Sequence, residues 1–124
     1  MRRSVHKTTG HVVALKTYDK KNLIDPLASK ALHKEIFILA HMDHQNIMSL
    51  HEVIDTRTHV HLVMELCQGK NLYHLVKKER NGPSPGLPES EVGPIFAQIV
   101  SAVAYMHSKG VSHRDLKLDN ILIN

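Results

Sequence analysis

The first 66 residues are dominated by short apolar runs with β-strand character. Val5 and residues 11–15 flank a polar turn at 7–10, which predicts two strands joined by a tight connection. Residues 48–54 and 59–66 form two further β-prone runs, and the second of them mixes alternation with a continuous apolar end. The pattern therefore predicts four strands in this part of the chain.

Other segments repeat their apolar residues every three or four positions, as amphipathic helices do. The first covers about residues 25–42, because Asp25 is a favourable N-cap and the proline after it fits the first helical position. The second covers 89–109 and has acidic residues in its first turn and a glycine after its basic end. A short helix is predicted over 71–78, and the Gly/Pro-rich sequence 81–88 is the strongest loop signal.

Composition excludes some classes of function. A chain of 124 residues with 42% hydrophobic and 23% charged residues is typical of one soluble domain or part of one. The net charge of +4 comes from scattered basic residues and there are only five aromatic residues, so a nucleic-acid surface is not expected. Cys67 is the single cysteine, which excludes an internal disulfide and fits a reducing compartment. No apolar run is long enough to span a membrane, so we expect a cytoplasmic protein with nuclear access left open.

One polar stretch near the end carries the candidate chemistry. Residues 112–120 bring Asp115, Lys117 and Asn120 together between the second long helix and a short β-prone run at 121–123. This composition is unfavourable for burial and suited to holding phosphates, a metal ion and a hydroxyl. The sequence His-Arg-Asp-Leu-Lys-Leu-Asp-Asn at 113–120 resembles the catalytic loop of protein kinases, in the form with lysine two residues after the aspartate that serine/threonine kinases have.

Three further stretches support this resemblance. Residues 12–16, Val-Val-Ala-Leu-Lys, resemble the kinase strand that ends in the nucleotide-binding lysine. Glu35 lies on or beside the apolar stripe of the first long helix, where a carboxylate needs a partner, and it matches the glutamate that pairs with that lysine. Residues 63–69 resemble the hinge between the two kinase lobes. The overall sequence is closest in character to the calmodulin-dependent or AMP-activated branch of the family.

The resemblance implies an α+β fold that is part of a protein kinase domain. Residues 1–66 would form a partial N-lobe, with an antiparallel sheet and the C helix, and 67–70 would form the hinge. Residues 71–124 would form the first helices and the catalytic loop, 112–120, of a partial C-lobe, with the loop 81–88 between two of its helices.

The resemblance also implies that the chain binds ATP. Lys16 would contact the α- and β-phosphates and would be held by a salt bridge to Glu35. The adenine would be surrounded by five residues: Ala14 above it, Leu122 below it, Met64 behind it as gatekeeper, and the backbone of Glu65 and Cys67 at its edge. The simpler interpretations are a solvated lysine at a strand end, a surface glutamate, and ordinary core packing for Met64 and Cys67.

The implied reaction is phosphoryl transfer from ATP to serine or threonine hydroxyls of a protein substrate. Asp115 would accept the proton of the hydroxyl, Lys117 would reach the transferred phosphoryl group, and Asn120 would supply an oxygen ligand to Mg²⁺. The implied cofactors are thus ATP and Mg²⁺, and neither nucleic acid nor membrane is an expected partner. Eleven histidines do not form a dependable metal-binding pattern, and His113 is better interpreted as positioning its own loop.

Two kinase landmarks are not among these residues. No Gly-rich loop precedes the first predicted hairpin and no Asp-Phe-Gly follows Asn120, so we expect a fragment that transfers phosphate slowly or not at all as an isolated polypeptide. We also expect the apolar stripe of the helix 89–109 to be exposed or wrongly covered. The alternatives are a non-catalytic, kinase-derived scaffold or regulatory binding module and, third, a small nucleic-acid-binding domain favoured by the basic pI.

Overall fold

The computed structural model describes residues 1–80 and 86–123, and for residues 78–80 it describes the backbone only. The chain divides into two compact units, Met1–Leu66 and Cys67–Asn124, which we call the first and the second unit. Most of the predicted loop 81–88 lies outside the described residues. Within the described part of the chain, no helix is both long enough and apolar enough to cross a bilayer.

The first unit is an antiparallel sheet with one long helix. Its strands are β1 (Arg2–Val5), β2 (Val12–Asp19), β3 (Leu50–Asp55) and β4 (His59–Met64), in the spatial order β1-β2-β4-β3. A 3-10 helix, Lys20–Leu23, follows β2, and the helix α1 covers Pro26–Ala40. All four predicted strands are therefore present, and the α+β class is confirmed.

The turn between β1 and β2 is built from backbone hydrogen bonds across its ends. The His6 N–H donates to the His11 carbonyl at 2.8 Å, and the Gly10 N–H donates to the His6 carbonyl at 2.8 Å. Gly10 has a φ of 72°, a left-handed conformation that glycine adopts without a steric penalty. The polar turn predicted at 7–10 is thus confirmed.

Helix α1 begins as its sequence predicts. The Asp25 side chain accepts a hydrogen bond from the Leu27 N–H at 3.2 Å, and Pro26 occupies the first helical position. The helix ends at Ala40, about half a turn before the predicted end near residue 42. Its apolar face covers the sheet, and Leu32 is buried there.

The core of the first unit lies between α1 and the central strands. Five buried residues form one cluster: Ala14, Leu32, Val60, Leu62 and Met64. The side chain of Leu62 is completely buried. Because β2 and β4 pair in register with Ala14 opposite Met64 and Lys16 opposite Leu62, this core fixes the positions of the residues at the end of β2.

The second unit is mostly helical. It contains β5 (Lys70–Asn71), α2 (Leu72–Arg80), α3 (Glu89–Ser108), a 3-10 helix (Leu118–Asn120) and β6 (Leu122–Ile123). The short strands β5 and β6 pair antiparallel, with Lys70 opposite Ile123 and Asn71 opposite Leu122. This ladder ties the segment that leads into α2 to the segment that follows the candidate catalytic loop.

The start of α2 differs from the prediction by one residue. Asn71 belongs to β5, and its side-chain oxygen accepts a hydrogen bond from the His74 N–H at 3.1 Å. Asparagine therefore acts as the cap, and the helix begins at Leu72. A two-residue strand has no periodicity of its own, so β5 was not predictable without its partner.

Helix α3 is continuous over its 20 residues although Pro94 lies inside it. Pro94 falls within the first turns, where few intrahelical hydrogen bonds are lost. None of the residues of α3 is buried, and Val92 and Phe96 are 41% and 61% exposed. The predicted apolar stripe is thus exposed at Val92 and Phe96 and half-buried at its other positions.

Candidate active site

Lys16 and Glu35 form an ion pair inside the first unit. The Lys16 Nζ lies 2.7 Å from Glu35 Oε1, and the two side chains are 37% and 34% exposed. Lys16 is on β2 and Glu35 is on α1, so the contact joins the sheet to the helix. The structure therefore brings together the two residues that the sequence predicted as a pair.

The local sequence explains why Lys16 and Glu35 are in contact. Ala14 and Lys16 are two residues apart on β2, so both side chains point to the same side of the sheet. Glu35 follows Leu32 by three positions on α1, which places it on the face that packs against the sheet. Burial of Ala14 and Leu32 thus draws the amine and the carboxylate together at the margin of the core.

Tyr18 also belongs to this cluster and was missed from the sequence. Its hydroxyl donates a hydrogen bond to Glu35 Oε2 at 2.6 Å, and the Lys16 Nζ lies 5.2 Å from the centre of its ring. Tyr18 continues the alternation of Ala14 and Lys16 along β2. That spacing was the available signal, because it places the phenol on the same side of the sheet as the amine.

The electrostatics of the cluster favour its charged form. Partial burial acts to raise the pKa of the Glu35 carboxyl, but hydrogen bonds from Lys16 and Tyr18 and the charge of Lys16 outweigh it, so the pKa falls below its ordinary value. Burial acts to lower the pKa of the Lys16 amine, yet contact with Glu35 and Tyr18 raises it overall. Burial and the bond to Glu35 both raise the pKa of the Tyr18 phenol, which keeps it a hydrogen-bond donor.

The other candidate residues of the first unit are Ala14 on β2, Met64 at the end of β4 and Glu65 directly after it. Ala14 and Met64 are both buried and pair across β2 and β4, so core packing is part of their role. Glu65 is exposed, and its backbone N–H donates to the Ser49 carbonyl at 2.9 Å. Their predicted contacts with adenine stay predictions.

In the second unit, Asp115, Lys117 and Asn120 are in direct contact. The Lys117 Nζ lies 3.0 Å from Asp115 Oδ2, and the Asn120 amide donates to the same oxygen at 2.9 Å. The Asn120 amide also donates to the Asp115 backbone carbonyl at 2.9 Å. The 3-10 turn Leu118–Asn120 brings the amide back toward the aspartate.

The backbone before Asp115 is held in an unusual conformation. Arg114 has a φ of 65°, in the left-handed region that costs a non-glycine residue about 1–2 kcal/mol. The Asp115 N–H donates to His113 Nδ1 at 3.2 Å, which helps to hold this turn. His113 therefore positions its own loop, as the sequence predicted.

This arrangement keeps Asp115 ionised. Hydrogen bonds from Lys117 and then Asn120 lower the pKa of the Asp115 carboxyl, and the positive charge of Lys117 acts in the same direction. A carboxylate with a lowered pKa is a weak base but a good acceptor. It suits the orientation of a hydroxyl group and the uptake of its proton late in a reaction.

The donor set near Asn120 is compatible with a hard cation. Because the Asn120 amide nitrogen faces Asp115, the carbonyl oxygen of the same amide is the atom available for a metal. Mg²⁺ prefers oxygen ligands and is commonly held by one or two protein groups together with substrate phosphates. Within residues 1–80 and 86–123, no group of three histidine, cysteine or acidic side chains is arranged to hold a metal by itself.

Cys67 and Leu122, the remaining candidates, lie in the second unit. Cys67 is half-buried, forms no disulfide because it is the single cysteine, and precedes β5. Leu122 is in β6, opposite Asn71, and its side chain is 42% exposed. Both stay predictions as nucleotide contacts.

Comparison with known proteins identifies the family. The model of the protein kinase domain family matches residues 1–124. The chain is 40% identical over 119 residues to CBL-interacting protein kinase 25 of Oryza sativa subsp. japonica, covering 96% of this chain and 23% of that protein. It is 42% identical over 120 residues to maternal embryonic leucine zipper kinase of Xenopus tropicalis, covering 96% of this chain and 17% of that protein. It is 41% identical over 118 residues to sperm motility kinase 3A of Mus musculus, covering 95% and 22%.

The chain therefore belongs to the protein kinase domain family, and the predicted membership is confirmed. Proteins of this family use ATP and Mg²⁺ in general. The chain spans about a fifth of the length of the curated relatives it matches, from 17% of one to 23% of another.

Proposed function

We propose that these residues are part of a protein serine/threonine kinase, which transfers the terminal phosphoryl group of ATP to serine or threonine hydroxyls of protein substrates. The observation that carries the proposal is the contact of Asp115 with both Lys117 and Asn120. The three side chains supply an acceptor, a cation and a metal-binding amide within one short loop. We assign residues 1–66 to the N-lobe, 67–70 to the hinge and 71–124 to the C-lobe of that domain.

Asp115 acts on the hydroxyl of the protein substrate. Its carboxylate orients the hydroxyl toward the terminal phosphorus of ATP and takes its proton as the new O–P bond forms, while the bond from this phosphorus to the bridging oxygen breaks and ADP leaves. The low pKa of Asp115 suits this role, because a loose transition state needs little removal of the proton before bond formation.

Lys117 neutralises charge on the transferred group. Its amine is 3.0 Å from Asp115, so a phosphoryl group that approaches the carboxylate also approaches a cation. Lysine at this place in the loop is also the reason for assigning serine/threonine rather than tyrosine specificity, by resemblance to the family motif.

Lys16 contacts the α- and β-phosphates, and Glu35 holds its amine. The pair is formed with good geometry, and the raised pKa of Lys16 keeps the amine charged. Around the adenine we place Ala14, Met64 and Leu122 as apolar contacts and the backbone of Glu65 and Cys67 as hydrogen-bonding groups. Mg²⁺, when bound, neutralises phosphate charge, and Asn120 offers it an oxygen ligand.

The test is a transfer assay in a kinase domain that contains these 124 residues. The domain is incubated with Mg²⁺, radiolabelled ATP and a peptide mixture that offers serine, threonine and tyrosine, and the labelled amino acids are identified. We expect phosphoserine and phosphothreonine. Labelling of tyrosine alone would contradict the proposed specificity. If neither a peptide nor the domain itself is labelled, the proposed activity is contradicted.

A second candidate is a kinase-derived module that binds a partner without catalysis. The exposed apolar residues Val92, Phe96 and Val100 on α3 favour it. The same assay separates the two candidates, because a binding module without catalysis labels neither the peptides nor itself. For either candidate we place the protein in a reducing compartment such as the cytoplasm, because its single cysteine, Cys67, stays reduced there.

A further inference from the structure

Tyr18 makes a hydrogen bond to Glu35 that is additional to the ion pair between Glu35 and Lys16. Its hydroxyl donates to Glu35 Oε2 at 2.6 Å, while Lys16 uses the other oxygen, Oε1, at 2.7 Å. Each oxygen of the carboxylate thus has its own donor. Both donors come from β2, two residues apart, and the acceptor comes from α1.

Two anchors restrict a carboxylate more than one does. A glutamate held through one oxygen can still turn about its last side-chain bond, because that torsion is broad. With Lys16 on one oxygen and Tyr18 on the other, the carboxylate plane is fixed relative to β2. The ring of Tyr18 also lies beside the amine of Lys16, 5.2 Å from its Nζ, so the three groups form a closed cluster.

We propose that Tyr18 is a positioning residue for the Lys16–Glu35 pair: its hydroxyl holds one oxygen of Glu35 in place, and the other oxygen therefore stays on the amine of Lys16. The consequence for nucleotide binding rests on the function proposed above. A tyrosine is required for this role, since phenylalanine would keep the ring contact with Lys16 and lose the bond to Glu35.

The direct test is a carboxyl titration followed by NMR on the chain with labelled glutamate side chains. Wild type is compared with Tyr18→Phe and with Tyr73→Phe. Tyr73 is the matched control, because its ring also lies near a lysine, at 5.8 Å from the Nζ of Lys77. We expect the pKa of the Glu35 carboxyl to rise in Tyr18→Phe, because a donor to the ionised form is lost, and to stay unchanged in Tyr73→Phe.

Thermal unfolding of the same variants distinguishes positioning from packing. A lower unfolding temperature in Tyr18→Phe with an unchanged pKa of Glu35 would overturn the proposal, since it would show that the hydroxyl stabilises the unit without acting on the Glu35 carboxylate. A second measurement uses the wild-type chain alone, so it does not depend on how well a variant folds. The pKa of Tyr18, followed through its labelled ring carbon, should lie above that of a free tyrosine, and a value at or below it would also overturn the proposal.

Kinetics in a kinase domain that contains the chain then test the consequence. Loss of one hydrogen bond to a charged group should lower kcat/KM for ATP by about fivefold or more in Tyr18→Phe, with no change in KM for the peptide substrate. If the pKa of Glu35 shifts and kcat/KM for ATP does not change, the positioning role of Tyr18 stands and the proposed role of Lys16 at the phosphates fails.

Discussion

The ion pair between Lys16 and Glu35 makes a quantitative prediction about stability. The two perturbations are Lys16→Met and Glu35→Gln, which remove one charge each and preserve most of the side-chain volume. Their combination completes a double-mutant cycle, and the cycle isolates the interaction between the two residues.

The coupling energy expected for Lys16 and Glu35 lies between the values typical of exposed and of buried ion pairs, and the exposure of the two side chains decides where. Exposed pairs contribute about 0.2–1 kcal/mol, and removal of one partner from a buried pair costs about 3–5 kcal/mol. With a separation of 2.7 Å and side chains that are 37% and 34% exposed, the pair lies between these limits. We therefore expect a coupling of about 1–2 kcal/mol, because water still reaches the charge left behind when its partner is removed.

The assay is equilibrium unfolding in urea at pH 7 for wild type, both single variants and the double variant. The pair of Lys20, in the 3-10 helix after β2, and Asp55, at the end of β3, is a matched control in the same unit, with a separation of 2.6 Å and side chains that are 36% and 64% exposed. Lys20→Met and Asp55→Asn should give a coupling of less than about 1 kcal/mol.

Two results would refute this reasoning. A coupling between Lys16 and Glu35 no larger than that of the control pair would show that the contact does not form a stable link between sheet and helix. A coupling of about 4 kcal/mol or more would show that the pair is desolvated, contrary to its exposure in the structure.

Three further predictions concern the first unit. The pKa of Glu35 is below its ordinary value of 4.5, so its charge adds stability above the unfolded pKa and loses that contribution as the pH falls through the folded value. The difference in unfolding free energy between wild type and Glu35→Gln should therefore shrink on acidification below pH 4.5, and a constant or growing difference would contradict it. Leu62→Ala should lower the unfolding free energy by about 2–5 kcal/mol in the urea assay, because the side chain is fully buried, and a loss comparable to a surface substitution would contradict the core. Asp25→Ala should cost about 1 kcal/mol through loss of the helix cap, and an unchanged urea midpoint would show that the cap is not used.

Much of the fold could be predicted because the decisive signals are local. The turn with Gly10, the cap at Asp25 and the alternation along β2 each act within a few residues, so the sequence around them is sufficient. The loop around Asp115 was predictable for another reason, since its polar residues are unfavourable for burial and resemble the catalytic loop of protein kinases.

What could not be predicted depends on partners distant in the sequence. Strand β5 has two residues and exists because β6 pairs with it. Alternation along β2 places Tyr18 on the same side of the sheet as Lys16, but its bond to Glu35 depends on where α1 places that carboxylate. The exposure of the Lys16–Glu35 pair, and hence the size of its contribution, likewise follows only from the packed structure.

The central claim is that Asp115 acts on the substrate hydroxyl, and the most direct test is steady-state kinetics of Asp115→Asn in a kinase domain that contains these residues. Asparagine is close in size and can still accept hydrogen bonds from Lys117 and Asn120, so the loop should keep its shape. The account predicts that kcat falls by about 100-fold or more, because the proton acceptor is lost, while the affinity for ATP is unchanged. A kcat near that of wild type would contradict it.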